Sequence, residues 1–164
     1  MVEVGRQEAI AASVAEAGVS VVALPQTNLY LQGRETRQAM PRGLTAIEAL
    51  ADAGVMVCAG ADNVADPFNL VGRSDAFETA ALLVMAAHRS PERAWDMVSS
   101  NARAALNLTP AGPVVGHVAD LLLVDAGSVR DAIANAPGTR RTIRHGRLVA
   151  QADQIRCLVP KDSS

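Results

Sequence analysis

Aromatic side chains are nearly missing from this 164-residue chain, in which Trp95, Tyr30, Phe68 and Phe77 are the full set. With a formal net charge of −2 as well, the chain has neither stacking platforms nor a basic track, which excludes nucleic-acid binding as its role. Cysteine is equally scarce. Cys58 and Cys157 lie far apart and match no paired metal spacing, so a disulfide framework is excluded and reduced thiols in a cytoplasmic protein are expected. Long apolar runs are absent too. The longest, Ala80 to Ala87, falls far short of the roughly 20 residues that span a bilayer, and the N-terminal stretch with Glu3, Glu8 and Glu16 does not read as a secretory signal. No membrane partner is expected. A Walker loop, a dinucleotide glycine fingerprint and internal repeats are all lacking, which argues against a nucleotide-binding module.

What is present is core material. Apolar residues make up 49% of the chain and charged ones 20%, enough for one packed domain or part of a larger one. Ile10, Ala11, Val14 and Ala17 fall at helical spacing, with Gly18 placed to end the helix. Val19 to Leu24 reads as a strand buried on both faces and closed by Pro25. Pro25 to Arg42 then reads as a long loop. Thr45 with Glu48 reads as a capping box opening a helix that Gly54 ends, and Val55 to Gly60 is a second apolar strand. After a polar loop to Arg73, Ser74 or Asp75 caps a helix reaching about His88, and Ser90 with Pro91 starts another that carries Trp95, Val98 and Ala102 inward. Buried strands alternating with helices predict α/β architecture with parallel pairing. Beyond Pro110 the spacing predicts a strand over Val118 to Val124, a short helix over Val129 to Ala134, and a hairpin over Arg141 to Ala150 turning at His145 and Gly146.

In parallel α/β folds ligands meet the C-terminal ends of strands, which directs attention to the loops after the two core strands. Asp62 stands out there, because alternation points it the same way as Gly60, Cys58 and Met56. Such a carboxylate can ligate a metal or move protons; it can equally cap a turn, and periodicity alone does not separate these. The first loop holds Asn28, Gln32, Gly33 and Arg34, and by composition is an ordinary solvated loop. Asp66, Pro67 and Phe68 read as a turn. His88, His117 and His145 read as surface histidines, since none ends a core strand or forms a His-x-His pair. Cys58 reads as a small buried hydrophobe with no base to activate it.

Two segments together resemble a known family. Leu24-Pro25-Gln26-Thr27-Asn28-Leu29-Tyr30-Leu31-Gln32-Gly33-Arg34 and Gly60-Ala61-Asp62-Asn63-Val64-Ala65-Asp66-Pro67-Phe68 look like the loops after the seventh and eighth barrel strands of bacterial cytosine deaminases, in the metal-dependent amidohydrolase superfamily. Ser100-Asn101-Ala102-Arg103 to Leu108 resembles the helix end after that barrel, Gly116 to Asp125 the return into a small β-sandwich, and Arg144 to Val149 its last strand pair. The resemblance implies the C-terminal part of a (β/α)8 TIM barrel over 1–110, a β-sandwich return over 111–152, and a tail over 153–164.

It also implies chemistry. Family members deaminate small heterocycles with one divalent metal, iron or zinc, and the role of metal ligand and proton shuttle falls on Asp62. Asn28, Gln32, Asn63 and Phe68 would then contact substrate. This chain has Ala61-Asp62-Asn63 where bacterial cytosine deaminases commonly have His-Asp-Asp, and Phe68 where they commonly have Trp, which leaves the substrate open between cytosine and another cyclic amide or amino-heterocycle. The family's metal histidines and its acid/base glutamate have no counterparts here, and a complete barrel typically needs about 250 residues. The expectation is therefore a chain that binds no metal and is inactive alone, and that works with a missing N-terminal half or as a homo-oligomer. A non-catalytic scaffold that keeps a barrel remnant is the alternative.

Overall fold

A computed structural model describes residues 4–40, 42–155 and 157. The order is α1 (Val4–Glu16), β1 (Val21–Ala23), α2 (Pro25–Leu31), α3 (Ile47–Asp52), β2 (Val57–Ala59), α4 (Ala76–Ala87), α5 (Pro91–Val98), α6 (Ser100–Ala105), β3 (Leu121–Val124), α7 (Val129–Asn135), β4 (Arg140–Arg144) and β5 (Arg147–Ala152). The fold is mixed α/β. β1 and β2 pair in parallel, Val21 opposite Val57 and Ala23 opposite Ala59, while β3, β4 and β5 form an antiparallel meander. No helix among the described residues is long and apolar enough to cross a membrane. The expected tail, 153–164, lies largely outside the described residues.

Several helix ends follow local chemistry. Gly18 adopts a positive φ directly after α1. Asp75 caps α4 by accepting from the Phe77 N–H at 3.0 Å, and His88 closes that helix in the left-handed region. Ser90 caps α5 ahead of Pro91, whose fixed φ suits a first helical turn. The His145–Gly146 turn joins β4 to β5 with positive φ at both residues, as a two-residue hairpin of the primed type requires.

Four expectations are corrected. Pro25 does not open a loop: it is the first residue of α2, because the same fixed φ that ends a strand also starts a helix. The capping box at Thr45 does not form. α3 begins at Ile47 with no side-chain cap, and Glu48 instead pairs with the buried Arg89 guanidinium. Charge neutralisation of a buried cation outweighs one capping bond. β1 is not buried on both faces, since Val22 is 52% exposed, although its register partner Cys58 on β2 is buried. The helix expected after Ser90 is two helices, broken at Ser99, whose backbone leaves the helical region and whose hydroxyl donates to the Trp95 carbonyl at 2.6 Å.

The core joins the strands to the helices. Ala23, Val57 and Ala59 pack with Ile47, Leu50, Phe77, Leu83 and Met97, and Trp95 stacks on Phe77 with ring centroids 5.0 Å apart. The meander is held against this layer by Arg140. Its guanidinium lies 4.7 Å above the Phe77 ring and grips both Asp75 oxygens at 3.0 and 3.2 Å. A second clamp runs from Arg103 to Asp120 at 3.1 Å, while the other Asp120 oxygen accepts from the His145 N–H at 2.8 Å. By contrast, every residue of β5 is exposed, and its outer edge has no strand beside it among the described residues.

Burial pushes the Asp75 carboxyl up, but the Arg140 hydrogen bonds, the Phe77 N–H and the charges of Arg140 and Arg73 outweigh it and hold the group below the ordinary carboxylate value. A depressed folded-state value means stabilisation that is present above the unfolded value and lost as pH falls through the folded one. Asp75→Asn, which keeps a capping oxygen, is expected to cost about 1–3 kcal/mol at neutral pH and to flatten the acid-side fall of the melting temperature. Urea unfolding at pH 7 and thermal melts below about pH 4 check both; an unchanged acid slope would remove Asp75 from this account.

Candidate functional site

The parallel register carries the two strand ends into contact. Ala23 faces Ala59, Gly60 donates its N–H to the Ala23 carbonyl at 3.0 Å, and the same offset of 36 residues sets Thr27 beside Asn63. Thr27, on the first turn of α2, donates its hydroxyl to the Asp62 carbonyl and accepts from the Asn63 N–H at 2.8 Å. Both atoms belong to the Asp62–Asn63 peptide, which is cis. Next to Thr27, Gln26 is buried and donates to the buried Thr79 hydroxyl of α4 at 2.7 Å.

The loop after β2 is built from its own polar side chains. Asn63 donates to Asp66 at 2.7 Å, and Asp66 accepts from the N–H groups of Phe68 and Asn69 at 2.8 and 3.1 Å. The Asn69 amide returns to the Asn63 carbonyl at 2.9 Å. Gly72 closes over that bond: a Cβ there would come 2.5 Å from the Asn69 amide nitrogen and 2.8 Å from the Asn63 carbonyl oxygen. Phe68 is left 55% exposed on this braced turn.

Asp62, unlike Asp66, takes no part in this bracing through its side chain. It is exposed, and its carboxylate has no hydrogen-bond or ion-pair partner among the described residues. Turn-capping is the work of Asp66 instead. Of the other candidates, Asn63 is engaged with Thr27 and Asp66, and Asn28 is half-buried one residue beyond Thr27. Gln32 lies at the far end of α2, about 7.5 Å of helix rise from Thr27, with its amide over Gly43, where a Cβ would meet the Gln32 Oε1 at 2.4 Å. The structure therefore groups Asp62, Asn63 and the start of α2, puts Phe68 on the same loop, and turns Gln32 to a neighbouring segment.

Among the described residues no three His, Cys, Asp or Glu side chains gather closely enough to hold a metal ion. His88, His117 and His145 are all exposed, and none lies in the loops that follow β1 and β2. Cys58 is buried in β2, where burial pushes its thiol up, as suits a packing residue rather than a nucleophile. Thr27 is the site residue that sequence reasoning passed over. Nothing in the sequence alone marks it: the strand register is what shows Thr27 four residues after Ala23 as Asn63 stands four after Ala59.

Comparisons with known proteins bear on the family and the fold. The model of the Amidohydrolase family matches residues 6–150. A pterin deaminase of Rhizobium rhizogenes is 33% identical over 140 residues, which is 83% of this chain and 32% of the relative. N-isopropylammelide isopropylaminohydrolase from Burkholderia multivorans is 28% identical with a TM-score of 0.75, over 92% of this chain and 36% of the other. 5-methylcytosine deaminase from Klebsiella pneumoniae liganded with 5-fluorocytosine, 24% identical, shares the fold with a TM-score of 0.81 over 98% of this chain and 40% of its own. The chain thus spans about a third of the length of the curated relative and roughly two fifths or less of these solved structures. By its sequence match over nearly its whole length, the chain belongs to the amidohydrolase family.

Proposed function

We propose that this chain is the C-terminal part of a cytoplasmic, metal-dependent deaminase that hydrolyses a C–N bond of a small heterocycle. Residues 1–110 would carry the last two strands of a (β/α)8 barrel with their helices, and residues 111–152 the return into a small β-sandwich. One observation supports this above the others: the Asp62 carboxylate stands unspent at the shared end of β1 and β2, on a loop whose remaining polar groups bond one another.

The family is generally metal-dependent, but one carboxylate does not fit a divalent ion, whose sites normally use three or more protein ligands. The other donors would come from polypeptide outside the described residues. Asp62 itself suits proton transfer. It would take a proton from water as the C–O bond forms and return it to the amine as the C–N bond breaks, releasing ammonia. Phe68, held by Asp66 through its N–H, would offer an exposed ring face to a planar heterocycle, with Asn28 and Asn63 contacting substrate from the start of α2 and the β2 loop.

A second reading, a non-catalytic scaffold, is favoured by the wholly exposed β5 and the half-exposed Val22, surfaces that suit a protein partner. Cell phenotypes separate the two: preserved assembly with no effect of Asp62→Ala would favour the scaffold.

Purified alone, the chain is expected to release no ammonia from cytosine, 5-methylcytosine or pterin. Co-expressed with the polypeptide encoded directly upstream, it should turn over at least one of them, and Asp62→Asn should lower that rate by about 10²- to 10⁴-fold. Full turnover by Asp62→Asn, or stoichiometric zinc held by the isolated chain, would refute the proposal. In the same assembly Phe68→Ala should raise KM about 3- to 10-fold with a smaller change in kcat, the size of one lost ring contact; steady-state kinetics read this, and an unaltered KM would take Phe68 off the substrate.

A further inference from the structure

We propose that Thr27 is the positioning residue for Asp62, an inference that rests on the reading of Asp62 as the reactive carboxylate. One hydroxyl satisfies both polar atoms of the peptide that follows Asp62, donating to its carbonyl and accepting from the Asn63 N–H. The far side of Asn63 is pinned as well, because its carbonyl accepts from Asn69 under the close cover of Gly72. The backbone on the C-terminal side of Asp62 is therefore held at two successive peptides, while the carboxylate itself has no partner among the described residues.

Thr27 is in turn firmly based. It follows the buried Gln26, which is tied to Thr79 of α4, and the next N–H, of Asn28, bonds the Leu24 carbonyl. Its β-branched side chain has few rotamers to choose among, so the hydroxyl meets the peptide with little ordering cost. A path thus runs from the buried face of α4 through α2 to the backbone of the β2 loop, and Thr27 is its last link. Catalytic constellations need supporting groups whose rotamers are fixed, since small misplacements of a reacting group are costly. Thr27 touches no reacting atom in this account; it acts through Asp62.

Thr27→Val removes the hydroxyl at nearly constant volume, and Thr27→Ser keeps it. In amide hydrogen exchange followed by NMR on the isolated chain, Asn63 is expected to exchange about 5- to 10-fold faster in Thr27→Val and near the wild-type rate in Thr27→Ser. The amides of Leu83 and Met97 serve as the reference for global opening. In the assembled enzyme, Thr27→Val should lower kcat while KM holds, with Thr27→Ser restoring it. Unchanged Asn63 exchange in Thr27→Val would overturn the proposal, as would Thr27→Ser behaving like Thr27→Val. If Thr27→Val opens globally, Thr27→Ser decides alone: wild-type exchange and kcat support the clamp, and loss of either overturns it. Failure of the underlying reading looks different, because Asp62→Asn would then leave turnover intact and Asn63 protection untouched.

Discussion

The parallel pairing of β1 with β2 is the constraint on which the rest depends. Each strand has only three residues, yet their register decides which side chains of the following segments meet. A slip of one residue would turn Ala23 or Ala59 out of the core and carry the Thr27 hydroxyl away from the Asp62–Asn63 peptide. β2 is also tied to the helical layer, where the Asn101 amide donates to the Val57 carbonyl at 2.9 Å. Within the loop, Thr27, Asn63, Asp66 and Asn69 hydrogen-bond one another or the backbone, while the Asp62 carboxylate has no partner among the described residues. That division of labour argues for a site more strongly than an exposed aspartate would by itself.

The two sheets communicate through arginine. Arg140 ties β4 to the α4 cap, and Arg103 ties α6 to the approach of β3 and to the hairpin turn. The short segments around Arg103, Asp120 and His145 each carried little information alone. In space they are one network, since a single carboxylate joins the guanidinium to the turn. Their order along the chain reflects that three-way contact.

Legibility in the sequence follows how local the cause is. The end of α1 at Gly18, the Asp75 and Ser90 caps and the His145–Gly146 turn were readable, because each depends on residues within a few positions. The start of α2, the unused Thr45 cap and the break at Ser99 were not. Pro25 is compatible with two backbone outcomes. Glu48 is drawn away by Arg89, 41 residues distant in sequence, and no local pattern announces that partner. Asp62 was legible as a polar residue after an apolar strand, and the motif resemblance pointed to it. The role of Thr27 needed the strand register, which only the fold supplies.

β5 is a six-residue strand with no proline, exposed at every position and open along its outer edge among the described residues. Its unsatisfied main-chain groups are a template that any extended segment can extend, another copy of the same strand included. Pairing at this edge would be governed by peptide geometry more than by side-chain charge. A single proline at an outward-pointing N–H of β5 would block the addition of a further strand there.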